Sequence, residues 1–428
     1  MNAGTDDIRA AVAGLEDSAR ERLAMLVRED SQLGRETGAQ ELMAGWYREL
    51  GLEVRTVPID LDAIRDRPGF SPPLIDYTGR ENVLGVHEPV QHRGRSLILN
   101  GHIDVVPPGP ARLWTDPPFR PVVRDGRMYG RGAGDMKAGL IANVTAFQAL
   151  RSLGIAPAAP VYLQSVVEEE CTGNGALACL AAGYTADAAI IPEPFAQQLM
   201  IAQVGVMWAR LHVSGRPSHV LDVSAGASAV DGAFRICRRL HDLVEGWNDP
   251  NKRHPAWADH PHPLNYNLGR IDGGDWASTV PPQAVVDMRF GFFPGMELDR
   301  VRADIERAVQ ETLSGDEVLA GISADIEWRG FQAEGVEMDP AHPMMTLLSD
   351  LHREVTGSEI GHLASTATTD ARFFQLYGDT PATCYGPEAD AIHGIDESVS
   401  LDSMMEVATV LALFIAEWCG LEEGTGGH

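Results

Sequence analysis

Three apolar runs in this 428-residue chain, at 96–99, 161–167 and 188–191, each break off into a stretch bearing histidine or acid. The first leads into Asn100-Gly101-His102, the second into Glu168-Glu169-Glu170 and the third into Pro192-Glu193-Pro194. Short apolar runs bounded by turn residues read as buried strands. A helical pattern over about 138–153 lies between the first two runs. Strands alternating with helices predict a layered α/β domain. The first fifty residues read as helices: Ile8, Val12 and Leu15, then Leu42, Trp46 and Leu50, recur at helical spacing, and Gly51 supplies a stop.

Between 204 and 328 the pattern changes. Residues 204–213 alternate as a strand, and Val230, Phe234, Cys237, Leu240, Val244 and Trp247 then keep helical spacing. Runs 264–271 and 284–293 read as two more strands. Leu298, Val301, Ile305, Ala308 and Leu313 form a second helical stripe, after which 322–328 alternates again. That βαββαβ order is the split ferredoxin-like unit. It predicts an α+β domain at 204–328 inserted into a discontinuous α/β domain made of 1–203 and 329–428. The chain returns to the latter with a helix near 344–355 and a strand at 381–385.

Acidic residues outnumber basic ones by 61 to 34, for a formal charge of -27. Such a field repels nucleic acid and anionic membranes and argues against both as partners. The five cysteines are odd in number and none sits in a Cys-x-x-Cys pair. They read as reduced, buried thiols of a cytoplasmic protein, not as a disulfide frame or a zinc knuckle. The N-terminus has no basic stretch followed by an apolar core, so no secretory signal is expected. No apolar run approaches the roughly 18 residues of a membrane span. The tail 422–428 is expected to fray.

The chemistry concentrates where the strands end. His102 and Asp104, two residues apart on a strand, share a face, an arrangement in which an imidazole binds metal while a carboxylate holds its other nitrogen. Taken alone, the pair reads more readily as a surface histidine and aspartate. Asp135 follows Gly130, Gly132 and Gly134, and glycines let a backbone turn sharply to bring a carboxylate into a crowded site. A phosphate loop is the rival there, but Gly-Lys-Ser/Thr is missing and the acid would repel phosphate. Glu168, Glu169 and Glu170 repel one another unless cations or protons intervene; the plain alternative is a solvated turn. Glu193 and His393, singly, are ordinary loop residues. Arg289 is a candidate clamp for a substrate carboxylate, because a guanidinium holds one through two parallel bonds. Its rival is a structural contact with Asp287, on the same strand face.

Taken in order, these motifs resemble the co-catalytic zinc family of acetylornithine deacetylase, succinyl-diaminopimelate desuccinylase, aminoacylase and glutamate carboxypeptidase. Trp114 with Pro118-Phe119, Gly215 with His219, Thr369-Asp370-Ala371-Arg372 and Gly386-Pro387 extend the likeness over nearly the whole chain. The resemblance implies two divalent ions, zinc first, with cobalt or manganese as alternatives. Asp135 would bridge them, His102 and Glu193 completing one ligand set and Glu170 and His393 the other. Asp104 would orient His102. Glu169 would be the general base, since the family's catalytic glutamate directly precedes its ligand glutamate; the glycines at 173 and 175 set that register, and Glu168 fills a position where the family often has Asp. A non-proline cis peptide after Asp135 is implied as well. His219 matches an inserted-domain histidine that reaches the active site of the partner subunit, which implies a homodimer through that domain.

The activity so implied is amide hydrolysis of N-acylated amino acids or related small carboxylates. A dipeptidase or carboxypeptidase is the second reading, and a catalytically silent ligand-binding relative the third. Two departures stand out. Desuccinylases carry Arg-Arg-Gly where this chain has Gln203-Val204-Gly205, and the family's Asn before Val-Pro is Ser278 here. Both speak against a strict desuccinylase and leave the acyl pocket undefined.

Overall fold

The computed structural model describes residues 4–424. Among these, a six-stranded mixed sheet runs in the order Glu53–Pro58, Glu81–His87, Val161–Val166, Leu97–His102, Ala189–Ile191, Ala382–Cys384. The first three strands pair antiparallel, while the last four pair parallel. Every residue of Leu97–His102 is buried, as expected where helices cover both faces of a parallel sheet. The helix Ala138–Ser152 packs on that strand and against the helix Leu401–Cys419. The latter is buried almost all round, through Met404, Val407, Leu411, Phe414, Ile415 and Trp418. The Ser400 side chain caps its first turn by accepting from the Ser403 N–H.

The second sheet is antiparallel throughout, in the order Tyr266–Gly273, Gln283–Phe292, Gly205–Ser214, Ser323–Ala333. The helices Ala229–Trp247 and Leu298–Gly315 cover one of its faces. Along Gln283–Phe292 the side chains of Ala284, Val286, Met288 and Phe290 are buried. Asp287 and Arg289 alternate onto the opposite face. The chain thus builds an α/β domain and a separate α+β insertion. The insertion's last strand runs on past residue 328 because Gln332 and Ala333 still pair with Met207 and Val206.

Two sequence expectations fail here. Phe234 is 57% exposed, because Gly232, Ala233, Ile236 and Cys237 carry the buried face of that helix. The tail does not fray from residue 422. Leu421–Glu423 is a strand paired antiparallel with Ile155–Pro157, and Glu422 Oε1 accepts from the Val90 N–H at 2.7 Å. Residues 425–428 lie outside the described residues. All five cysteines are buried and unpaired. Among the described residues no helix is long and apolar enough to cross a membrane.

Candidate metal centre and active-site cleft

The strands Leu97–His102, Val161–Val166 and Ala189–Ile191 run parallel, so their carboxyl ends open on one edge of the sheet. Ligands of open α/β sheets sit at that edge. His102 ends its strand, and Glu168–Glu170 and Glu193 follow directly on theirs. The parallel strand Ala382–Cys384 leads to a turn in which His393 is left-handed, with φ 59°. Asp135 arrives from the glycine loop, where Gly132 has φ +77° and the Asp135–Met136 peptide is cis.

These side chains converge. His102 Nε2 lies 3.1 Å from Asp135 Oδ1 and 3.9 Å from both Glu193 Oε1 and Glu169 Oε2. His393 Nε2 lies 3.3 Å from Asp135 Oδ2 and 3.1 Å from Glu170 Oε2. Asp135 therefore turns one oxygen to each histidine. Two groups offer ligand atoms all within 4.8 Å of one another: His102, Asp135 and Glu170, and His102, Glu169 and Glu193. The second includes Glu169, which the family resemblance marks as a base and not as a ligand.

The donor set fits divalent cations. Burial pushes the Glu169 and Glu193 carboxyls well above the usual carboxylate range, and lifts Asp104 to about 7 and Asp370 to about 6. Burial would raise Asp135 too, but hydrogen bonds from His102 and His393 hold it below its ordinary value. His102 is driven upward despite burial, by Asp135 and the charges of Glu193 and Glu169. Both Asp370 oxygens are buried without a hydrogen-bond partner. Buried carboxylates crowded around imidazoles are costly unless positive charge is shared among them. Mixed imidazole and carboxylate donors suit zinc and its neighbours in the first transition row.

The surrounding residues hold the donors in place. His102 Nδ1 donates to the Asp104 backbone carbonyl at 2.8 Å, while the Asp104 carboxylate stands off at 3.8 Å. Asp104 thus holds the tautomer through its backbone and not, as expected, through its side chain. Its carboxylate instead accepts from the Glu169 and Glu170 N–H groups at 3.3 and 3.1 Å. That strand-end carboxylate is better used by the unpaired amides of the acidic turn. Glu168, also left-handed with φ 73°, points away. It is fully buried, pairs with Arg80, and accepts from Tyr77 Oη at 2.8 Å and Thr172 Oγ1 at 2.7 Å. Glu169 and Glu170 are left to face the cluster. Gly175 packs so tightly beneath this turn that a Cβ would lie 1.9 Å from the Val167 carbonyl oxygen.

Glu397 was not singled out from the sequence. Its oxygens accept from the N–H groups of Gly132, Gly134 and Asp135 at 2.9–3.0 Å and from Arg131 at 2.5 Å. A glycine loop with several free amides calls for such an acceptor, but nothing in the sequence says which acid supplies it.

A cavity of about 420 Å³ opens beside the cluster between the two sheets. Glu169, Glu170 and His393 line one wall, and Trp208, Arg210, Asp287, Arg289 and Arg329 another. Asp287 is claimed by Arg210 through two bonds of 2.6 and 2.9 Å, so the Asp287–Arg289 contact is not formed. Arg289 donates to the carbonyls of Asn265 and Thr366 at 3.3 and 3.0 Å, and burial lowers its pKa to about 10. His219 does not join this group. It is exposed, and its Nδ1 accepts from the Leu221 N–H at 3.0 Å.

Comparison with known proteins matches residues 98–417 to the family described as Peptidase family M20/M25/M40. N-formyl-4-amino-5-aminomethyl-2-methylpyrimidine deformylase of Bacillus subtilis is 28% identical over 402 residues, 89% of each chain. Succinyl-diaminopimelate desuccinylase of Paracoccus denitrificans is 29% identical over 331 residues, 74% of this chain and 81% of that one. Among solved structures, the di-peptidase Dug1p of Saccharomyces cerevisiae superposes with a TM-score of 0.83 at 13% identity, over 98% of this chain and 99% of that one. That last likeness is one of fold.

Proposed function

The chain belongs to the M20/M25/M40 peptidase family and is a metal-dependent hydrolase of amide bonds in small acylated substrates; from that premise we propose that it is a deacylase of N-acyl amino acids. One observation carries the proposal. Arg289, which among the described residues donates only to backbone carbonyls, lines the same cavity as Glu169, Glu170 and His393. A carboxylate on Arg289 would set a neighbouring amide against the acidic cluster. The relatives named deformylase and desuccinylase support a deacylase over a dipeptidase.

In this reading His102 and Glu193 would hold one divalent ion and Glu170 and His393 a second, with Asp135 available to both. Zinc is the first choice, with cobalt or manganese as alternatives. When bound, such ions polarise the scissile carbonyl and lower the pKa of water. The remaining work falls to the protein. Glu169, reaching both the cluster and the cavity, takes a proton from the attacking water and returns it to the leaving nitrogen. Asp104 keeps Glu169 and Glu170 in register by binding their amides. Glu397 does the same for the Asp135 loop. His219, exposed and outside the cluster of its own chain, serves the partner subunit of a homodimer formed through the inserted domain, stabilising the oxyanion there. The buried, unpaired thiols support a cytoplasmic setting.

The test is turnover of a panel of N-acetyl, N-formyl and N-succinyl amino acids beside dipeptides. The acyl amino acids should be cleaved, and Glu169→Gln should lower turnover by about 10²–10⁴ while the metal stays bound. Preference for free dipeptides would overturn the deacylase reading. A protein that turns over none of them and loses nothing on substitution would be a binding protein.

A further inference from the structure

Three arginines line the cleft, and they are not equally occupied. Arg210 is used up by Asp287, and Arg289 is steadied by two carbonyls but pairs with no acid among the described residues. Arg329 is the least engaged. Its nearest carboxylate, Glu327 Oε1, is 3.8 Å away, and Glu327 is turned to His212 at 3.0 Å. No hydrogen bond from the Arg329 guanidinium is found among the described residues, although its side chain is only 22% exposed.

A break in the sheet brings Arg329 to this position. Along the pair formed by Gly205–Ser214 and Ser323–Ala333, Ala209 faces Trp328 and Met207 faces Gln332, with a register shift between them. Residues 329–331 therefore stand opposite Trp208 alone. Gly330 takes φ +62°, lies so close to Trp208 that a Cβ would come within 2.6 Å of its ring, and donates to the Pro72 carbonyl at 2.9 Å. Bulges of this kind re-aim side chains beside active sites. Here the bulge delivers Arg329 and Phe331 to the cavity wall. Leu74, Trp208 and Phe331 supply apolar surface to the same cavity.

We propose that Arg329 is a specificity-determining residue that receives a second acid group of the substrate. The preferred substrate is then an N-acyl amino acid with two acid groups, one held by Arg289 and the other by Arg329, separated by hydrocarbon. The second acid belongs either to the acyl portion or to the amino-acid side chain. The inference rests on the deacylase reading and deepens it. A poorly hydrated planar guanidinium that makes no hydrogen bond favours a carboxylate over water.

The test uses the full-length, metal-loaded protein. Steady-state constants are measured for wild type, Arg329→Gln and Arg329→Lys on N-acetylalanine, N-succinylalanine and N-acetylglutamate. Wild type should favour at least one two-acid substrate over N-acetylalanine by about tenfold or more in kcat/KM, the scale of one charged contact. Arg329→Gln should collapse that ratio through KM, and Arg329→Lys should keep part of it. A ratio excludes general damage to the fold, which would lower all three substrates together. The favoured arm tells whether the second acid sits on the acyl or the amine side. A wild type without preference, or a ratio that survives Arg329→Gln, overturns the inference while leaving the deacylase reading intact. Failure of wild type to cleave any of the three overturns both.

Discussion

Among single residues the roles divide by the direction each carboxylate faces. Glu169 faces the cavity and Glu168 faces Arg80, so neighbouring acids should fail differently. Glu169→Gln should lower kcat by about 10²–10⁴ with unchanged metal content and unchanged thermal midpoint, the usual worth of a general base. Arg80→Met should leave Glu36 and Glu168 buried without their cation. It should cost about 3–5 kcal/mol in urea unfolding; a loss below about 1 kcal/mol would mean that the pair is not structural. The sequence revealed much at this scale, because metal-ligating residue types recur at strand ends in a set order. It did not reveal contacts made by the backbone. That His102 is held by the Asp104 carbonyl, and that Glu397 collects three loop amides, follows from the path of the chain and not from residue type. Glu168 was ambiguous for the same reason. Only its left-handed conformation turns it away from its neighbours.

Periodicity governs what was legible among the elements. Amphipathic pieces such as Gln283–Phe292 and Leu298–Gly315 announce themselves because one face meets a core and the other water. The helix Leu401–Cys419 does not, because it is buried on nearly every side and its apolar residues have no preferred face. The small strands Leu421–Glu423 and Ile155–Pro157 are too short to show alternation. Leu411, fully buried in that helix, provides a test of its structural weight. Leu411→Ala should destabilise the fold by about 2–5 kcal/mol, read by urea unfolding, and a change under about 1 kcal/mol would contradict the packing. His87, at the end of Glu81–His87, gives a test in pH. Its Nε2 donates to the Pro157 carbonyl at 2.7 Å and its Nδ1 faces Arg151 at 3.4 Å. Burial, with Arg151, lowers its pKa. The folded value thus lies below the unfolded one of about 6.5. The stability that neutral His87 contributes is complete above that pH and is lost as pH falls below it. Unfolding free energy should therefore fall more steeply from pH 7 to 5 in wild type than in His87→Gln; parallel slopes would refute the assignment.

Over the whole molecule, the inserted domain does two things in this account: it closes the cleft with Arg289 and Arg329, and it carries His219 away from the cluster of its own chain. If His219 serves a partner subunit, Glu169→Gln and His219→Ala chains, each inactive alone, should regain activity when mixed through a denaturation–renaturation cycle. Random pairing in a two-fold dimer makes about a quarter of the sites intact, and no recovery would mean that His219 does not act across the subunit boundary. The division into an α/β domain and an α+β insertion was readable from the order of strands and helices. The meeting of His102, Asp135, Glu170, Glu193 and His393 was implied by the family resemblance and not by spacing or periodicity, since it depends on which strands lie side by side. Metal content, measured by elemental analysis and located by anomalous diffraction, tests that meeting most directly. Two divalent ions per chain should appear, one against His102 and Glu193 and one against Glu170 and His393, with Asp135 touching both, and Asp135→Asn should lose them. A chain that turns over its substrate with no ion at these five residues would contradict the account at its base.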